Sequence, residues 1–316
     1  MTIEIRALRE GELDAADRVY RLAFGTLLGL PDPTRYRGDA ELIRNRVRAY
    51  PDGAFVAVSD GEILGVSLAN NLGSLGVLGP VAVHPKHWHG GIARRLLEPT
   101  VEVFSRWRNR MVGLFTFPDA GHLRLYQGFG FWPRYLVPVM TKPVAPATEA
   151  REEADGDAAA GAGDAAARQA LAAECHALAA TIYPGLDLRR EIEMIEAPER
   201  GGVVVVRDGA TLAGFAICHC GKGSEGGAQT GYLKFALVRS GAEAPQYFSR
   251  LLAAAEGFGR RRGAAQLMAG VSAGRHRAHR QLVEMGFRTQ LQGVAMHRPW
   301  DEAYDRPEIY ALDDWR

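Results

Sequence analysis

Two adjacent glycines stand where a predicted strand meets a predicted helix, in the segment VAVHPKHWHGGIARRLL (Val81–Leu97). The first N–H groups of a helix have no partners within it, and their aligned dipoles favour an anion. Glycines let a phosphate approach such a backbone closely. Gly90, Gly91 and the small Ala93 leave this access open, and Arg94 adds positive charge. The spacing therefore predicts a diphosphate site; the alternative is a tight turn that needs small residues.

The position of the glycines excludes two common phosphate-binding motifs. A dinucleotide fold places G-x-G-x-x-G after its first strand, and a Walker loop needs Gly-Lys-Ser/Thr. In this sequence the glycines follow the fourth predicted strand and are spaced differently, and the Gly-Lys-Ser/Thr run is absent. A different class of phosphate ligand is therefore indicated.

The segment resembles the acyl-CoA-binding motif of the GNAT N-acetyltransferase superfamily, in which V-x-P ends a strand and Gln/Arg-x-x-Gly-x-Gly/Ala opens a helix. Here V-H-P occupies Val83–Pro85 and W-H-G-G-I-A occupies Trp88–Ala93. The family's later motif, Leu-Tyr-x-x-x-Gly-Phe, is similar to Leu125–Phe131, and the distance between the two motifs also fits. The resemblance covers about Ile3–Met140 and, less closely, Val203–His297.

The resemblance implies direct transfer of an acyl group from acyl-CoA, most simply acetyl-CoA, to a primary amine of a small molecule or peptide. Backbone amides near Val81 and Val83 would hold the pantetheine arm and polarise the thioester carbonyl. Tyr126 would protonate the departing thiolate as general acid. No metal is expected. The implied CoA-binding residues are Val81, Val83, Trp88, His89, Gly90, Gly91, Ile92, Ala93 and Arg94.

Two positions depart from the family pattern. Trp88 stands where the family has Gln or Arg, and an indole has one N–H and no charge with which to clamp a diphosphate. Asp119 stands where the family often has Asn. The fourth strand also lacks the carboxylate that many members place there, which leaves a water chain or one of several side chains as the base: Asp32, Asp39, Glu62, His84 or His122. A catalytically weak or inactive acyl-CoA-binding regulatory protein is therefore the alternative function.

The predicted strands and turns that precede Val81–Leu97 in the sequence determine where this segment lies in the fold. Asp60-Gly61 separates two apolar runs and predicts a hairpin. Gly79-Pro80 cannot sit in a regular ladder, so we expect a bulge or splay in the fourth strand. A helix is predicted over Gly91–Phe104. The loop Gly29–Asp39 lies where the resembling fold binds the acceptor, with an ordinary connector as the alternative.

The second half repeats the order of the first. Fourteen residues separate Val83 from Leu97 in the first half and Val238 from Leu252 in the second. The next interval is also similar, with thirty-four residues from Leu97 to Phe131 and thirty-five from Leu252 to Phe287. The repeat predicts an α/β fold (a mixed sheet of the α+β kind) made of two tandem GNAT-like domains. We predict the catalytic domain over 1–143, an Ala/Gly/acidic linker over 144–163, and a degenerate copy with a tail over 164–316.

The second copy keeps the fold pattern but loses the chemistry. Gln246 and Phe248 align with Gly91 and Ala93, so bulky side chains replace bare backbone. Leu282 aligns with the tyrosine of the later motif. We therefore predict a structural partner that shapes the substrate cleft, with the tail Tyr310–Arg316 docked onto the body through its tryptophan.

Composition and charge argue against several other classes of protein. The 316-residue chain has a net charge of +1, so no global field favours nucleic acid or an anionic membrane. No apolar run reaches the roughly 20 residues that span a bilayer. Three cysteines do not make a disulfide framework, and Cys218-His219-Cys220 is interpreted as a strand with core cysteines rather than as a metal site. We predict a cytoplasmic protein, monomeric or homodimeric.

Overall fold

The computed structural model describes residues 2–145, 165–195 and 199–316. The predicted linker, 144–163, lies outside these residues except for Val144 and Ala145, so its character stays a prediction. The domain limits 1–143 and 164–316 stay predictions too.

Twelve strands and eight α-helices are formed by the described residues. The strands are β1 (Glu4–Ala7), β2 (Ala54–Ser59), β3 (Glu62–Leu72), β4 (Leu75–Val83), β5 (Met111–Thr116), β6 (Trp132–Pro143), β7 (Gly201–Asp208), β8 (Thr211–Gly221), β9 (Gly227–Val238), β10 (Gln266–Gly270), β11 (Arg288–Arg298) and β12 (Ala311–Asp313). The helices are α1 (Leu13–Leu27), α2 (Leu42–Ala49), α3 (Ile92–Trp107), α4 (Ala120–Gln127), α5 (Ala165–Ile182), α6 (Arg189–Met194), α7 (Ala244–Arg261) and α8 (His276–Glu284).

The predicted hairpin forms at Asp60-Gly61, which joins antiparallel β2 and β3, and both residues take positive φ (51° and 81°) as this turn requires. In α1 the residues Leu13, Ala16 and Tyr20 recur on one face and pack into a core with β2 and β3. The helix predicted from Gly91 to Phe104 begins one residue later and runs on to Trp107.

The second half has the same order of elements. Strands β7 and β8 form a hairpin at Asp208-Gly209, β9 leads into α7, and β10, α8 and β11 follow. Helix α7 packs on this sheet through residues such as Phe248 and Leu252, which are almost fully buried. The predicted fold class, a mixed α/β fold with a mixed sheet, is confirmed.

The two halves share one continuous sheet in the order β1-β2-β3-β4-β5-β11-β6-β10-β9-β8-β7, with β12 pairing to β9. Strand β11, at the end of the second half, pairs with β5 of the first half. Strand β6, at the end of the first half, pairs with β11 on one side and with β10 of the second half on the other. Each half therefore completes its sheet with a strand from the other half.

The three cysteines are buried free thiols. Cys218 and Cys220 face the core under α7, as the strand interpretation predicts, and His219 lies on the other face of β8. Among the helices of the described residues, none combines the length and the apolar character needed to cross a membrane.

Candidate functional site

A cleft opens where β4 and β5 separate. Residues Leu75–Leu78 of β4 pair in parallel with Met111–Leu114 of β5, and the pairing ends there. Beyond Leu78, β4 bulges at the cis Gly79-Pro80 bond, where the register against β3 shifts. The predicted bulge is therefore present. The separation leaves a cavity of about 500 Å³ between the strand ends, α1, α3 and α4.

The edge of β4 beyond the bulge presents backbone groups to this cavity. The N–H of His84 donates to the carbonyl of Leu64 on β3 at 2.8 Å. Because N–H directions alternate along a strand, the N–H groups of Val81 and Val83 point away from β3, toward the side that β5 has left. Both residues line the cavity. This edge can offer two donors to an extended ligand.

Two buried side chains hold the bulge in place. The amide nitrogen of Asn70 donates to the carbonyls of Val77 and Gly79, at 3.2 Å each. Nη1 of Arg46 donates to the same Gly79 carbonyl at 3.3 Å. The carbonyl groups freed by the irregular strand are thus satisfied, as burial requires.

The strand-to-helix joint leaves the start of α3 open. Gly91 is the N-cap residue in the left-handed region (φ 76°), and no side chain caps the helix. By contrast, Asp119 caps α4 by accepting from the N–H groups of Gly121 and His122. Gly91, Ile92, Ala93 and Arg94 line the cavity. Free helical N–H groups here can bind an anion.

The other predicted CoA-binding residues are placed differently. Gly90 does not line the cavity, and a Cβ on it would lie 3.3 Å from the carbonyl of His87. His89 lines it with positive φ (64°). The indole Nε1 of Trp88 donates to the carbonyl of Val83 at 2.7 Å. This N–H is the single donor of the indole. Trp88 therefore links the loop to the end of β4, and its N–H is not free to bind a diphosphate as the arginine of the family motif would.

Tyr126 lies on α4 and lines the same cavity as the start of α3. Its side chain is buried, 8% exposed, and its ring meets Phe131 edge-on at 6.4 Å. Burial raises the pKa of the Tyr126 phenol above its ordinary value. The hydroxyl therefore stays protonated at neutral pH and can act only as a proton donor or a neutral acceptor.

Among the side chains considered as bases, His122 lines the cavity. It precedes Tyr126 by four residues on α4, so both lie on one helix face. Nδ1 of His122 is buried and has no hydrogen-bond partner among the described residues. Asp32, Asp39, Glu62 and His84 do not line the cavity.

Several cavity residues come from parts of the sequence outside the two motifs. Tyr20 and Phe24 of α1, Tyr36 of the loop after it, and Phe117 beyond β5 contribute aromatic rings. Leu291, Trp315 and Arg316 reach it from the second half. The sequence pointed to the loop Gly29–Asp39 as an acceptor-binding segment and to the tail Tyr310–Arg316 as a docked segment. Leu291 had no such signal, because it reaches the cavity only through the position of β11 next to β5.

The second half is built differently at the equivalent place: β12 pairs with Phe235–Leu237 of β9, beyond the residues that pair with β10, and a cavity of about 600 Å³ lies between the start of α7 and α8. Phe248, at the position of Ala93, is fully buried and packs against Tyr310 with ring centroids 5.4 Å apart. Leu282, at the position of Tyr126, is also fully buried. Buried apolar side chains therefore replace the small residue and the tyrosine of the first half.

A buried charged cluster lies between the halves. One ligand atom each of Glu191, His219 and Glu225 lies within 4.8 Å of the others. Nζ of Lys234 lies 2.7 Å from a carboxylate oxygen of both glutamates, and Arg46 pairs with Glu225 at 3.0 Å. Burial lowers the pKa of His219 to about 4, so it is neutral at pH 7. Because two cations already balance the two carboxylates, this cluster is an ion-pair network.

Residues 16–131 match the model of the acetyltransferase (GNAT) family. The opening in β4, the uncapped α3 and Tyr126 all lie within this matched region. A search among curated proteins finds no match.

Solved structures resemble the whole chain. One from Pyrococcus horikoshii has a TM-score of 0.72 at 12% identity, covering 99% of this chain and 95% of that one. A GCN5-related N-acetyltransferase from Sphaerobacter thermophilus has a TM-score of 0.61 at 17% identity, covering 94% and 95%. Another, from Anabaena variabilis, has a TM-score of 0.53 at 13% identity, covering 94% and 72%. At these identities the likeness shows the fold alone.

Proposed function

We propose that this protein transfers an acetyl group from acetyl-CoA directly to a primary amine, with the chemistry in its first half. The observation that carries the proposal is one cavity that joins the free edge of β4, the uncapped start of α3 and the phenol of Tyr126. Membership of this region in the GNAT family supports acyl transfer from acyl-CoA.

In the proposed reaction the diphosphate lies at the start of α3, near Gly91, Ile92, Ala93 and Arg94, and the pantetheine arm follows β4. The amine nitrogen attacks the thioester carbonyl, whose developing charge is stabilised by a β4 amide. The C–S bond then breaks, and the phenol of Tyr126 protonates the thiolate. The proton lost by the amine passes to water or to His122.

The second half is proposed as a structural partner. At the positions of Ala93 and Tyr126 it carries the buried Phe248 and Leu282, so it lacks the small residue and the proposed acid of the first half. It contributes Leu291, Trp315 and Arg316 to the wall of the first cavity. Chemistry in one half with shaping by the other is the role this arrangement supports.

The test is release of free thiol from acetyl-CoA, measured with the purified chain over a panel of primary amines. Amine-dependent release is expected, together with a rise in Tm when CoA is added without amine. Protection by CoA without turnover of any amine would favour the alternative, a non-catalytic acyl-CoA-binding protein. Absence of both would refute acyl-CoA binding.

A further inference from the structure

An aromatic wall lines part of the cavity. It consists of Tyr20 and Phe24 on α1, Tyr36 on the following loop, and Phe115 and Phe117 at the end of β5. None of these rings belongs to α3 or α4, the helices that carry the motif residues. The wall is therefore separate in the chain from the groups proposed to bind CoA.

The rings of the wall pack on one another. Phe24 stacks on Tyr36 at 5.7 Å between centroids with planes 12° apart, and it lies 5.1 Å from Tyr20. Phe24 also approaches Phe117 at 6.4 Å, and Phe117 meets Phe115 at 5.9 Å. These are favourable distances for aromatic pairs. The wall is thus a continuous surface that joins α1 to the end of β5.

Four of the five rings of the wall keep some exposed surface. Phe24, Tyr36, Phe115 and Phe117 are only half-buried, so ring surface remains for a ligand to cover. Leu27, one turn after Phe24, also lines the cavity and is 42% exposed. A ligand that covers these groups gains the free energy of removing apolar surface from water.

Acidic side chains are scarce in the cavity. Among the described lining residues the single carboxylate side chain is that of Asp119, whose Oδ1 caps α4. The guanidinium of Arg316 is paired with Asp314, with Nε 2.8 Å from a carboxylate oxygen. Arg94 lies over the ring of Phe129 at 5.8 Å. One carboxylate side chain that already caps a helix is a poor site for a polycation, because each further ammonium group would be costly to desolvate without a partner.

From these observations we propose that the acceptor is a monoamine that carries an aromatic or similarly flat apolar group, which packs against the aromatic wall. This inference rests on the proposed N-acetyl transfer, because it assigns the wall to the acceptor of that reaction. It disfavours polycationic acceptors such as polyamines and aminoglycosides.

The experiment compares 2-phenylethylamine with ethylamine, which lacks the phenyl ring, and with spermidine, a polycation. Thiol release from acetyl-CoA gives kcat/KM for each amine. We expect 2-phenylethylamine to exceed both by about tenfold or more, because burial of a phenyl ring favours its transition state by that order. Binding of the same amines to the CoA-bound protein is measured by calorimetry in parallel.

Two variants test the wall itself. Phe24→Leu and Tyr36→Leu each remove a ring that faces the cavity, and we expect each to lower the phenylethylamine-to-ethylamine ratio at least threefold. The control is Trp300→Leu, an exposed aromatic residue outside the cavity, which should leave the ratio unchanged. Because a ratio of two amines on one protein is compared, partial misfolding of a variant does not alter it.

The outcomes separate the two proposals. Turnover without preference for the phenyl amine, or with preference for spermidine, overturns the aromatic acceptor and leaves N-acetyl transfer standing. Absence of turnover, with selective binding of 2-phenylethylamine to the CoA complex, overturns the reaction but supports the wall as an aromatic binding site. Absence of both turnover and selective binding overturns both.

Discussion

At the scale of single residues, the structure gives Tyr126 and Trp88 different kinds of role. Tyr126 lines the cavity with its hydroxyl kept protonated, because burial raises its pKa. Trp88 also lines the cavity, but its one donor is bonded to the carbonyl of Val83. A chemical role is therefore proposed for the first, and a positioning role for the second.

Tyr126→Phe removes the proposed acid without changing the ring. We expect kcat to fall by about 100-fold, since general acid catalysis contributes about 10²–10⁴, with KM for acetyl-CoA nearly unchanged. Thiol release at saturating amine measures this. Tyr310→Phe is the control, because Tyr310 is also 8% exposed but lies in the second half. Full turnover in Tyr126→Phe would remove this tyrosine from the mechanism.

Trp88→Phe keeps an aromatic ring and removes the indole N–H. Loss of its hydrogen bond to Val83 should lower the free energy of unfolding by about 1 kcal/mol. Because the N–H is not free for a diphosphate, KM for acetyl-CoA should change less than about threefold, which is below 1 kcal/mol. Urea unfolding and steady-state kinetics measure the two quantities. A tenfold rise in KM at unchanged stability would show that the indole itself binds CoA.

At the scale of elements, the site depends on two irregularities. Strand β4 bulges at Gly79-Pro80 and separates from β5, and α3 begins without a side-chain cap. A regular strand would continue the ladder and close the cleft, and a capping side chain would occupy the helical N–H groups. Gly79 and Pro80 lie at the bulge, and Gly91 at positive φ lies at the open start of α3.

Ala93→Asp tests whether the start of α3 binds the diphosphate, because the substitution should stabilise the protein and weaken acetyl-CoA binding. A carboxylate in the first turn should stabilise the helix by about 0.3–1 kcal/mol through its dipole. The same charge should repel the diphosphate and raise KM for acetyl-CoA about tenfold or more. Thermal unfolding and thiol-release kinetics measure the two effects.

The uncharged isostere Ala93→Asn is the control, since it adds similar bulk without charge. Its KM for acetyl-CoA should stay much closer to that of the unmodified protein. Equal increases in both variants would indicate steric exclusion, and no increase in either would place the diphosphate elsewhere.

At the scale of the whole molecule, the two halves form one unit. They exchange the strands β6 and β11. A buried network of charged side chains also crosses between them, formed by Arg46, Glu225, Lys234 and Glu191. Arg46 also bonds the Gly79 carbonyl at the bulge and the backbone carbonyl of Arg316. The second half thus supports the geometry of the β4 opening.

Glu225→Gln tests this connection. The substitution removes the negative charge that pairs with Arg46 and Lys234 and leaves these buried cations less well balanced. The free energy of unfolding should therefore fall by about 3 kcal/mol. Denaturant unfolding at pH 7 measures it. The control is Glu193→Gln, which removes a half-exposed pair with Arg190 and should cost under about 0.5 kcal/mol. Equal losses in both variants would contradict a special role for the buried pair.

The same pair has a defined pH dependence. Burial alone would raise the pKa of Glu225, but Arg46 and Lys234 together hold it below the ordinary value. The stabilisation is therefore complete above the ordinary pKa of about 4.3 and is lost as the pH falls below it. The Glu225→Gln variant should lack this part of the acid dependence.

Local features could be predicted from the sequence: the hairpins at Asp-Gly, the irregularity at Gly79-Pro80, the open helix start at Gly91 and the repeat of elements. Each depends on short-range backbone preferences or on periodicity, which neighbouring residues decide. Long-range features could not be predicted in this way: β11 lies between β5 and β6, Leu291 and Arg316 reach the cavity, and the indole of Trp88 donates to the carbonyl of Val83. Strand partners far apart in sequence are selected by packing over the whole molecule, and no local pattern encodes that choice.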